Sequence, residues 1–198
     1  MGMKATGETR PVPAEANSGV WSPLRVVVRA VTRRLAVKAN VKYGADLRVG
    51  RGAIVYGPHS LSIGNHVSIG PHTIIQVDGH IGDFVLIGMG VQIVGRRDHA
   101  VDEVGTPIAH STWIGERDAT DKDKIVIERD AWIGGASVVM SGIRIGEGAI
   151  VAAGSVVTRD LLPYTINGGN PAQLIRRRFA TAEDEQIHSR ALDQLLKC

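Results

Sequence analysis

The chain has 198 residues, a formal net charge of +3, 43% hydrophobic residues and only 4% aromatic residues. This length predicts a single domain, and the mild positive charge does not indicate a nucleic-acid-binding protein. The single cysteine, Cys198, excludes a disulfide framework and a cysteine-rich metal site. No apolar run approaches the ~18 residues of a membrane span, and no signal-peptide core is visible. We therefore expect a cytoplasmic protein whose core is aliphatic.

The first 44 residues contain a predicted flexible tail (1–20) and a predicted helical cap (21–44). Between Trp21 and Lys38, apolar residues follow helical spacing and arginines occupy another face. The apolar positions are Leu24, Val27, Val28, Val31 and Leu35, and the basic ones are Arg25, Arg29 and Arg33. This pattern favours a helix that caps the open end of a repeat structure. The alternative is a basic helix that lies on an anionic membrane surface.

The next region repeats with a period of six. Aliphatic residues recur at Ile63, Ile69, Ile75, Ile81, Ile87 and Ile93, and again in phase at Ile127, Ile133, Val139, Ile145, Val151 and Val157. A small residue often follows at once, and a small or β-branched residue stands four positions later. A period of six fits neither a helix nor a simple alternating strand, but it is typical of hexapeptide parallel β-helices.

Three units close one coil in such a solenoid, so we expect each position to stack on its equivalent three units further on, as Ile63 on Ile81. The aliphatic residue should point inward, and the following glycine, such as Gly64 or Gly70, should turn the corner at positive φ. The units near Val49 and Val55 predict an irregular first coil, with a slip of two residues near Leu61–Ile63.

The period fails between Val94 and Lys124, where the sequence is VGRRDHAVDEVGTPIAHSTWIGERDATDKDK. A loop this long inside a compact domain is usually functional. It carries His99 with Asp98 and Asp102 nearby, and this setting favours a catalytic histidine over a solvated one. We expect the loop to project over a neighbouring surface.

Four other histidines are tested for metal binding: His59, His66, His72 and His80. No two of them are separated by one full coil of three units, so none should stack on adjacent coils. We therefore expect surface histidines and no metal.

Residues 182–197 predict a C-terminal helix with Ile187, Leu192, Leu195 and Leu196 on its apolar side.

The repeats, the His-x-x-Asp of the loop and the run AWIGGASVVMSGIRIGEGAIVAAGSVVTRDLLPYTINGGNPAQLIRRRF together resemble a known family. They are similar to the hexapeptide-repeat acyltransferases, in the branch that holds galactoside, maltose, nodulation-factor and streptogramin acetyltransferases. The resemblance implies an all-β fold, a left-handed parallel β-helix over residues 45–170 with its loop at 94–126. A C-terminal segment and helix over 171–198 complete the predicted organisation.

The resemblance also implies the residues of the site. His99 matches the general base that takes a proton from an acceptor hydroxyl, with Asp98 and Asp102 as candidate substrate-binding residues. Candidate contacts to acetyl-CoA are Trp132, Gly135, Ala153, Thr158, Arg159, Pro171 and Arg176. The family implies a homotrimer with active sites between subunits. Arg177 and Arg178 are equally compatible with CoA phosphates and with a solvated surface.

The chemistry agrees with this assignment, because a hydroxyl is a weak nucleophile and histidine's unperturbed pKa of about 6.5 suits a base near neutral pH. The sequence therefore predicts acetyl-CoA-dependent O-acetylation of a hydroxyl on a sugar, glycan or glycosylated natural product. N-acetylation of an amino sugar and a non-catalytic structural β-helix are the alternatives.

Overall fold

A computed structural model describes residues 22–197 of the chain, with side chains from residue 26. The predicted tail over 1–20 and Cys198 lie outside these residues. The described part is a solenoid of parallel strands flanked by one helix at each end, which confirms the predicted all-β class with two helices. Its left-handed sense stays a prediction from the resemblance.

The elements are short, as a six-residue repeat requires. Helix α1 is Ser22–Ala36, and the strands before the long loop are β1 Val41–Tyr43, β2 Arg48–Val49, β3 Ile54–Tyr56, β4 Leu61–Ile63, β5 Ser68–Ile69, β6 Ile74–Gln76, β7 Asp78–Ile81, β8 Leu86–Ile87 and β9 Gln92–Val94. After the loop come β10 Lys124–Ile127, β11 Trp132–Ile133, β12 Val138–Met140, β13 Ile143–Ile145, β14 Ile150–Val151, β15 Val156–Val157, β16 Thr165–Gly169, β17 Ala172–Arg177 and helix α2 Ala182–Leu195.

These strands form the three flat sides of the solenoid. Side 1 has the order β1-β4-β7-β10-β13, side 2 the order β2-β5-β8-β11-β14-β16-β17, and side 3 the order β3-β6-β9-β12-β15. Strand β17 is the exception to the parallel arrangement, since it pairs antiparallel with β16.

The register confirms the predicted coil of three hexapeptide units. Ile63 pairs with Ile81, and Ile127 pairs with Ile145. The loop is inserted without loss of phase, because Ile127 also pairs with Ile81 across it. The first coil is longer: Val41 pairs with Leu61, two positions beyond the regular spacing, so the predicted slip is confirmed. Strand β1 lies ahead of residue 45, the predicted start of the β-helix.

The core is a stack of the inward-pointing aliphatic residues and the small residues four positions later. Ile75, Ile81, Ile93 and Ile145 have no exposed surface, and the small residue Ser137 is equally buried. At roughly 25 cal/mol per Å² of apolar surface, this continuous column supplies the main stabilisation. It forms one cluster that runs from Leu47 to Ala172.

The prediction for the corner glycines is wrong. Gly64 and Gly70 do not have positive φ; the left-handed residues stand two positions later, at His66 (φ 56°) and His72 (φ 56°). The glycines are needed for close stacking instead. A Cβ on Gly70 would lie 2.5 Å from the backbone of Gly88 and Met89 in the next coil.

Helix α1 meets the first coil at its C-terminal end. Ala36 is buried, and Val37 bridges to Val55 of β3. The apolar residues Val27, Val28, Val31 and Leu35 are all more than half exposed, so the described chain leaves the apolar face of the helix open. The structure thus confirms the helix, while the cap and the membrane-surface alternative both stay predictions.

Helix α2 packs against the upper coils through both charge and apolar contact. Thr181 caps its first turn by accepting from the Asp184 amide at 3.1 Å. His188 Nε2 lies 2.8 Å from Asp130, and Arg129 bonds Asp193 and Ser189. Leu192 is buried, while the other predicted apolar-side residues remain exposed or partly exposed.

Candidate active site

The long loop leaves the solenoid after β9, at the corner between sides 3 and 1, and returns at β10. It contains three short 3-10 turns: Ile108–His110, Ile114–Glu116 and Asp121–Asp123. Two stretches of the loop pair with each other through backbone hydrogen bonds. The Ala100 amide donates to Thr112 at 3.0 Å, and the Ile114 amide donates to Asp98 at 2.8 Å. The loop therefore has internal structure of its own.

His99 lies at the centre of this pairing, where it forms an isolated antiparallel bridge with Trp113. Its ring nitrogen Nδ1 lies 3.3 Å from the carbonyl oxygen of Ser111, and Ser111 is buried. A carbonyl only accepts, so this contact favours a proton on Nδ1 and leaves Nε2 as the acceptor nitrogen. His99 as a whole is half-buried.

The two acidic neighbours of His99 differ in setting. Asp98 is half-buried beside Gly95, and burial raises the pKa of its carboxyl above the ordinary range. Asp102 is exposed at the outer part of the loop. Both remain candidate substrate-binding residues by prediction.

The base of the loop is held by an ion pair whose carboxylate is buried. Arg117 bonds both carboxylate oxygens of Asp123, at 2.8 and 3.0 Å, and Asp123 has no exposed side-chain surface. The hydrogen bonds from Arg117 and Thr120 keep the pKa of Asp123 well below its usual range, against the effect of burial. Arg117 also donates to the carbonyl of Arg97 at 3.3 Å, so it ties together the outgoing and returning limbs of the loop.

The first three predicted cofactor residues lie on side 2 and on the corner between sides 2 and 3. Trp132 is on β11, about half exposed, with Leu86 and Ile150 beside it in register. Gly135 and Ala153 occupy equivalent corner positions in successive coils. The Gly154 amide donates to the Gly135 carbonyl at 2.9 Å, which fixes this wall.

The other four predicted cofactor residues follow the chain towards the last coil. Thr158 is at the same corner as the loop, and its carbonyl accepts from Arg96 at 2.6 Å. Arg159 borders a cavity of about 200 Å³ under the hairpin of β16 and β17. Pro171 is in the turn of that hairpin, after a cis peptide bond. Arg176 is exposed on β17.

The three consecutive arginines are not equivalent. Arg177 pairs with Glu185, and Arg178 pairs with Asp130. Within the described part of the chain no carboxylate lies within ion-pair distance of Arg176. Arg177 thus attaches α2, Arg178 holds the chain before α2 against the solenoid, and Arg176 is left as the cation available to an anionic ligand.

Sequence reasoning missed Arg96 as a structural link and the basic cavity around it. Arg96, Arg97 and Lys122 line a cavity of about 370 Å³ at the base of the loop, together with Ser141 and Gly142. The backbone amide of Arg96 also donates to the hydroxyl of Ser141 at 2.9 Å. The charge run Arg96-Arg97 is visible in the sequence, but its meeting with Lys122 depends on the path of the loop.

The four histidines tested for metal binding are separated, and no group of three His, Cys, Asp or Glu side chains that could hold a metal occurs among residues 22–197. His66 stacks on Phe84 with ring centroids 5.1 Å apart, and His80 Nδ1 lies 2.9 Å from Ser62. His59 stands out, because both of its ring nitrogens have partners in other parts of the chain.

Comparison with known proteins agrees with this architecture. A family model described as bacterial transferase hexapeptide (six repeats) matches residues 124–159. The chain is similar to a chloramphenicol acetyltransferase of Klebsiella aerogenes, with 39% identity over 54% of this chain and 53% of that protein. It is also similar to a probable macrolide acetyltransferase of Lysinibacillus sphaericus, with 37% identity over 54% and 62% of the two chains. The chain spans about half the length of the curated relatives it matches.

Solved structures match over a larger share of the chain. A hexapeptide-repeat containing acetyltransferase of Vibrio cholerae, complexed with acetyl coenzyme A, has 27% identity and a TM-score of 0.55 over 82% of this chain and 81% of that one. The N-acyltransferase AntD of Bacillus cereus has a TM-score of 0.59 over 81% and 84%, and at 18% identity it supports the fold alone.

The three-sided solenoid with its inserted loop defines a hexapeptide-repeat protein. The family model matches this chain over residues 124–159, and the relatives and the acetyl-CoA-bound structure make the chain similar to hexapeptide-repeat acetyltransferases. Among the helices that the structure describes, none is long and apolar enough to cross a membrane.

Proposed function

We propose that this protein is an acetyl-CoA-dependent O-acetyltransferase, with residues 45–170 as its acyltransferase domain. The observation that carries the proposal is His99, a half-buried histidine that is held by backbone pairing inside the long insertion of a hexapeptide solenoid. The similarity to chloramphenicol and macrolide acetyltransferases and to an acetyl-CoA-bound structure supports it.

His99 acts as the general base in this proposal. The carbonyl of Ser111 accepts the Nδ1 proton, so the Nε2 lone pair faces the substrate. Nε2 takes the proton of the acceptor hydroxyl as the oxygen attacks the thioester carbonyl. The C–S bond then breaks, and the CoA thiolate leaves and receives that proton from the imidazolium. Backbone N–H groups of the solenoid wall are the natural donors to the oxyanion that forms in between.

Acetyl-CoA would lie along the wall that carries Trp132, Gly135 and Ala153. Glycine and alanine at these positions leave little side-chain volume over the backbone, so that an extended pantetheine arm can approach it. Thr158, Arg159 and Pro171 would continue the site towards the last coil, and Arg176 would meet a phosphate. Five of these seven contacts are exposed in a single copy of the chain: Trp132, Ala153, Arg159, Pro171 and Arg176.

A homotrimer explains why these residues do not converge within one copy. The loop leaves at the corner between sides 3 and 1, whereas Gly135 and Ala153 lie at the corner between sides 2 and 3. A neighbouring copy can bring its wall to the loop of the first, and His99 would then act in the cleft between the two.

The acceptor in this proposal carries a hydroxyl group on a sugar, a glycan or a glycosylated natural product. The relatives named for chloramphenicol and a macrolide add hydroxylated antibiotics to the acceptors that should be tested. An amino-sugar acceptor, which would receive the acetyl group on nitrogen, is the alternative for the same site.

Product analysis tests this proposal directly. The protein is incubated with acetyl-CoA and a panel of maltose, glucosamine, chloramphenicol and a macrolide, and products are identified by mass spectrometry and by NMR of the modified position. An O-acetyl product that does not form without protein supports the proposal, and an N-acetyl product favours the alternative. If acetyl-CoA does not bind in calorimetry, the protein is a structural β-helix instead.

A further inference from the structure

The longer first coil places a histidine at the base of the loop. The segment 57–60 follows β3, and His59 within it reaches Asp78 of β7 and Arg117 of the loop. His59 Nδ1 lies 2.7 Å from a carboxylate oxygen of Asp78, and Nε2 lies 2.8 Å from the carbonyl oxygen of Arg117. We propose that His59 is a positioning residue for the His99 loop, whose doubly protonated ring ties the loop to the first coil and releases it on losing a proton.

The chemistry of the two partners requires a proton on each nitrogen. A carbonyl oxygen cannot donate, and the Asp78 carboxylate already accepts from the amides of His59 and Ser60, both at 2.7 Å. A neutral imidazole has only one N–H, so it can satisfy only one of the two acceptors. The imidazolium satisfies both. A neutral ring keeps its one proton on Nδ1, because the carboxylate there is the stronger acceptor, and the bond to the Arg117 carbonyl is then lost.

A short series of hydrogen bonds connects Arg117 to the backbone next to His99. Arg117 ends the 3-10 turn Ile114–Glu116, and its amide is bonded to the carbonyl of Ile114 at 3.4 Å. The amide of Ile114 in turn donates to Asp98, next to His99. The guanidinium of Arg117 holds the carbonyl of Arg97 on the other limb. Release of Arg117 would therefore loosen the segment that sets the position of His99.

The charges around the ring favour its protonated form. The hydrogen bond to Asp78 raises the pKa of His59 above its ordinary value, with further contributions from the Arg117 carbonyl and from Asp118, against the effect of burial. The guanidinium of Arg117 is engaged with Asp123. The ammonium of Lys124, in register with Asp78 on the next strand, pairs with Asp121.

The sign of the pH effect follows from this direction. The pKa of His59 is raised on folding, so its contribution is complete below the unperturbed value of about 6.5 and is lost as the pH rises through the raised value. Since the proposal rests on the catalytic role of His99, activity should fall over the same interval in which the loop loosens.

Hydrogen exchange tests the tie without any substrate. Wild-type protein and His59→Gln are compared across the pH range at the amides of Ile114, Glu116 and Arg117, with His80→Gln as the matched control. His80 lies on the same strand as Asp78 and touches Ser62, not the loop. Glutamine carries both of its N–H donors on a single nitrogen, so it cannot place one donor at the position of Nδ1 and the other at that of Nε2. At low pH we expect protection about tenfold lower in His59→Gln than in the other two proteins, and no difference at high pH.

Equal protection in the wild type and His59→Gln at every pH would overturn the proposal. The proposal is also overturned if the protection of these amides in the wild type stays constant over the pH range in which NMR shows the His59 ring titrating. The amides of β10 should exchange alike in all three proteins, which confirms that His59→Gln is folded. If it is not folded, the wild-type titration alone decides.

Failure of the tie and failure of the proposed function give different results. If the protein is not an acetyltransferase, the exchange result still stands. If it is one and the tie is absent, kcat follows the same pH profile in the wild type and His59→Gln. The proposal predicts instead that the wild-type kcat declines at high pH and that the decline disappears in His59→Gln.

Discussion

Individual residues in the loop are fixed by partners that satisfy their full hydrogen-bonding capacity. Asp123 is the clearest case, because it is fully buried and accepts two bonds from Arg117 and two from Thr120. A buried carboxylate is tolerated only with such partners, and removing one member of a buried pair is costly. Its neighbour Asp121 is fully exposed and pairs only with Lys124.

We predict that Asp123→Asn lowers the free energy of unfolding at pH 7 by about 3 kcal/mol, whereas Asp121→Asn changes it by less than about 0.5 kcal/mol. Urea denaturation followed by tryptophan fluorescence measures both, and Trp113 places one reporter in the loop. Similar values for the two variants would show that the Arg117–Asp123 pair does not stabilise the loop.

The same pair gives an acid dependence of known sign. The pKa of Asp123 is lowered on folding, so its contribution is present above the unfolded value of about 3.9 and is lost as the pH falls towards the folded value. In denaturation repeated at decreasing pH, the difference between wild type and Asp123→Asn should therefore shrink only in acid.

At the scale of elements, much of the fold follows from the six-residue period. The period fixes which residues point inward, the coil of three units and even the longer first coil, because each depends only on local spacing. The prediction failed at the corners, since the requirement for glycine there comes from the next coil. A backbone contact between Gly70 and Gly88 is invisible in a single repeat.

The candidate site was predictable in part for the same reason. The loop and His99 stand out as a break in the period. The tie from His59 to Arg117 joins residues 58 positions apart, and the Arg117–Asp123 pair depends on the fold of the loop itself. Neither of these two contacts follows a residue spacing that can be recognised in the sequence.

The two kinds of glycine should respond differently to substitution. Gly70→Ala places a Cβ 2.5 Å from the backbone of the next coil, so the coils must separate. Gly90 has φ 66° but open space around its Cβ position, and Ala136 already adopts φ 56° at an equivalent corner. We expect Gly90→Ala to cost about 1 kcal/mol and Gly70→Ala clearly more. Thermal denaturation followed by circular dichroism compares them, and a lower Tm for Gly90→Ala than for Gly70→Ala would contradict the stacking role.

On the scale of the whole molecule, the distribution of candidate residues over separate corners suggests that one copy does not form a complete site. Leu86 and Trp132 are neighbouring apolar side chains on side 2, and both are about half exposed. Tryptophan in particular is enriched in protein interfaces.

We predict a native mass of three chains of 21.1 kDa each. Sedimentation equilibrium or light scattering after size-exclusion chromatography measures this mass directly. A stable monomer that nevertheless transfers acetyl groups would show that the site is complete within one copy.

The central claim is that His99 is the base of an acetyl transfer, and the most direct measurement is the release of free thiol from acetyl-CoA in the presence of an acceptor. Wild-type protein, His99→Ala and His110→Ala are compared, since His110 is an exposed histidine of the same loop. Loss of a general base typically costs ~10²–10⁴-fold in rate, so we predict a loss of this size in His99→Ala with unchanged acetyl-CoA binding, and wild-type rates in His110→Ala. Acceptor-dependent thiol release that survives in His99→Ala at the wild-type rate would contradict the account.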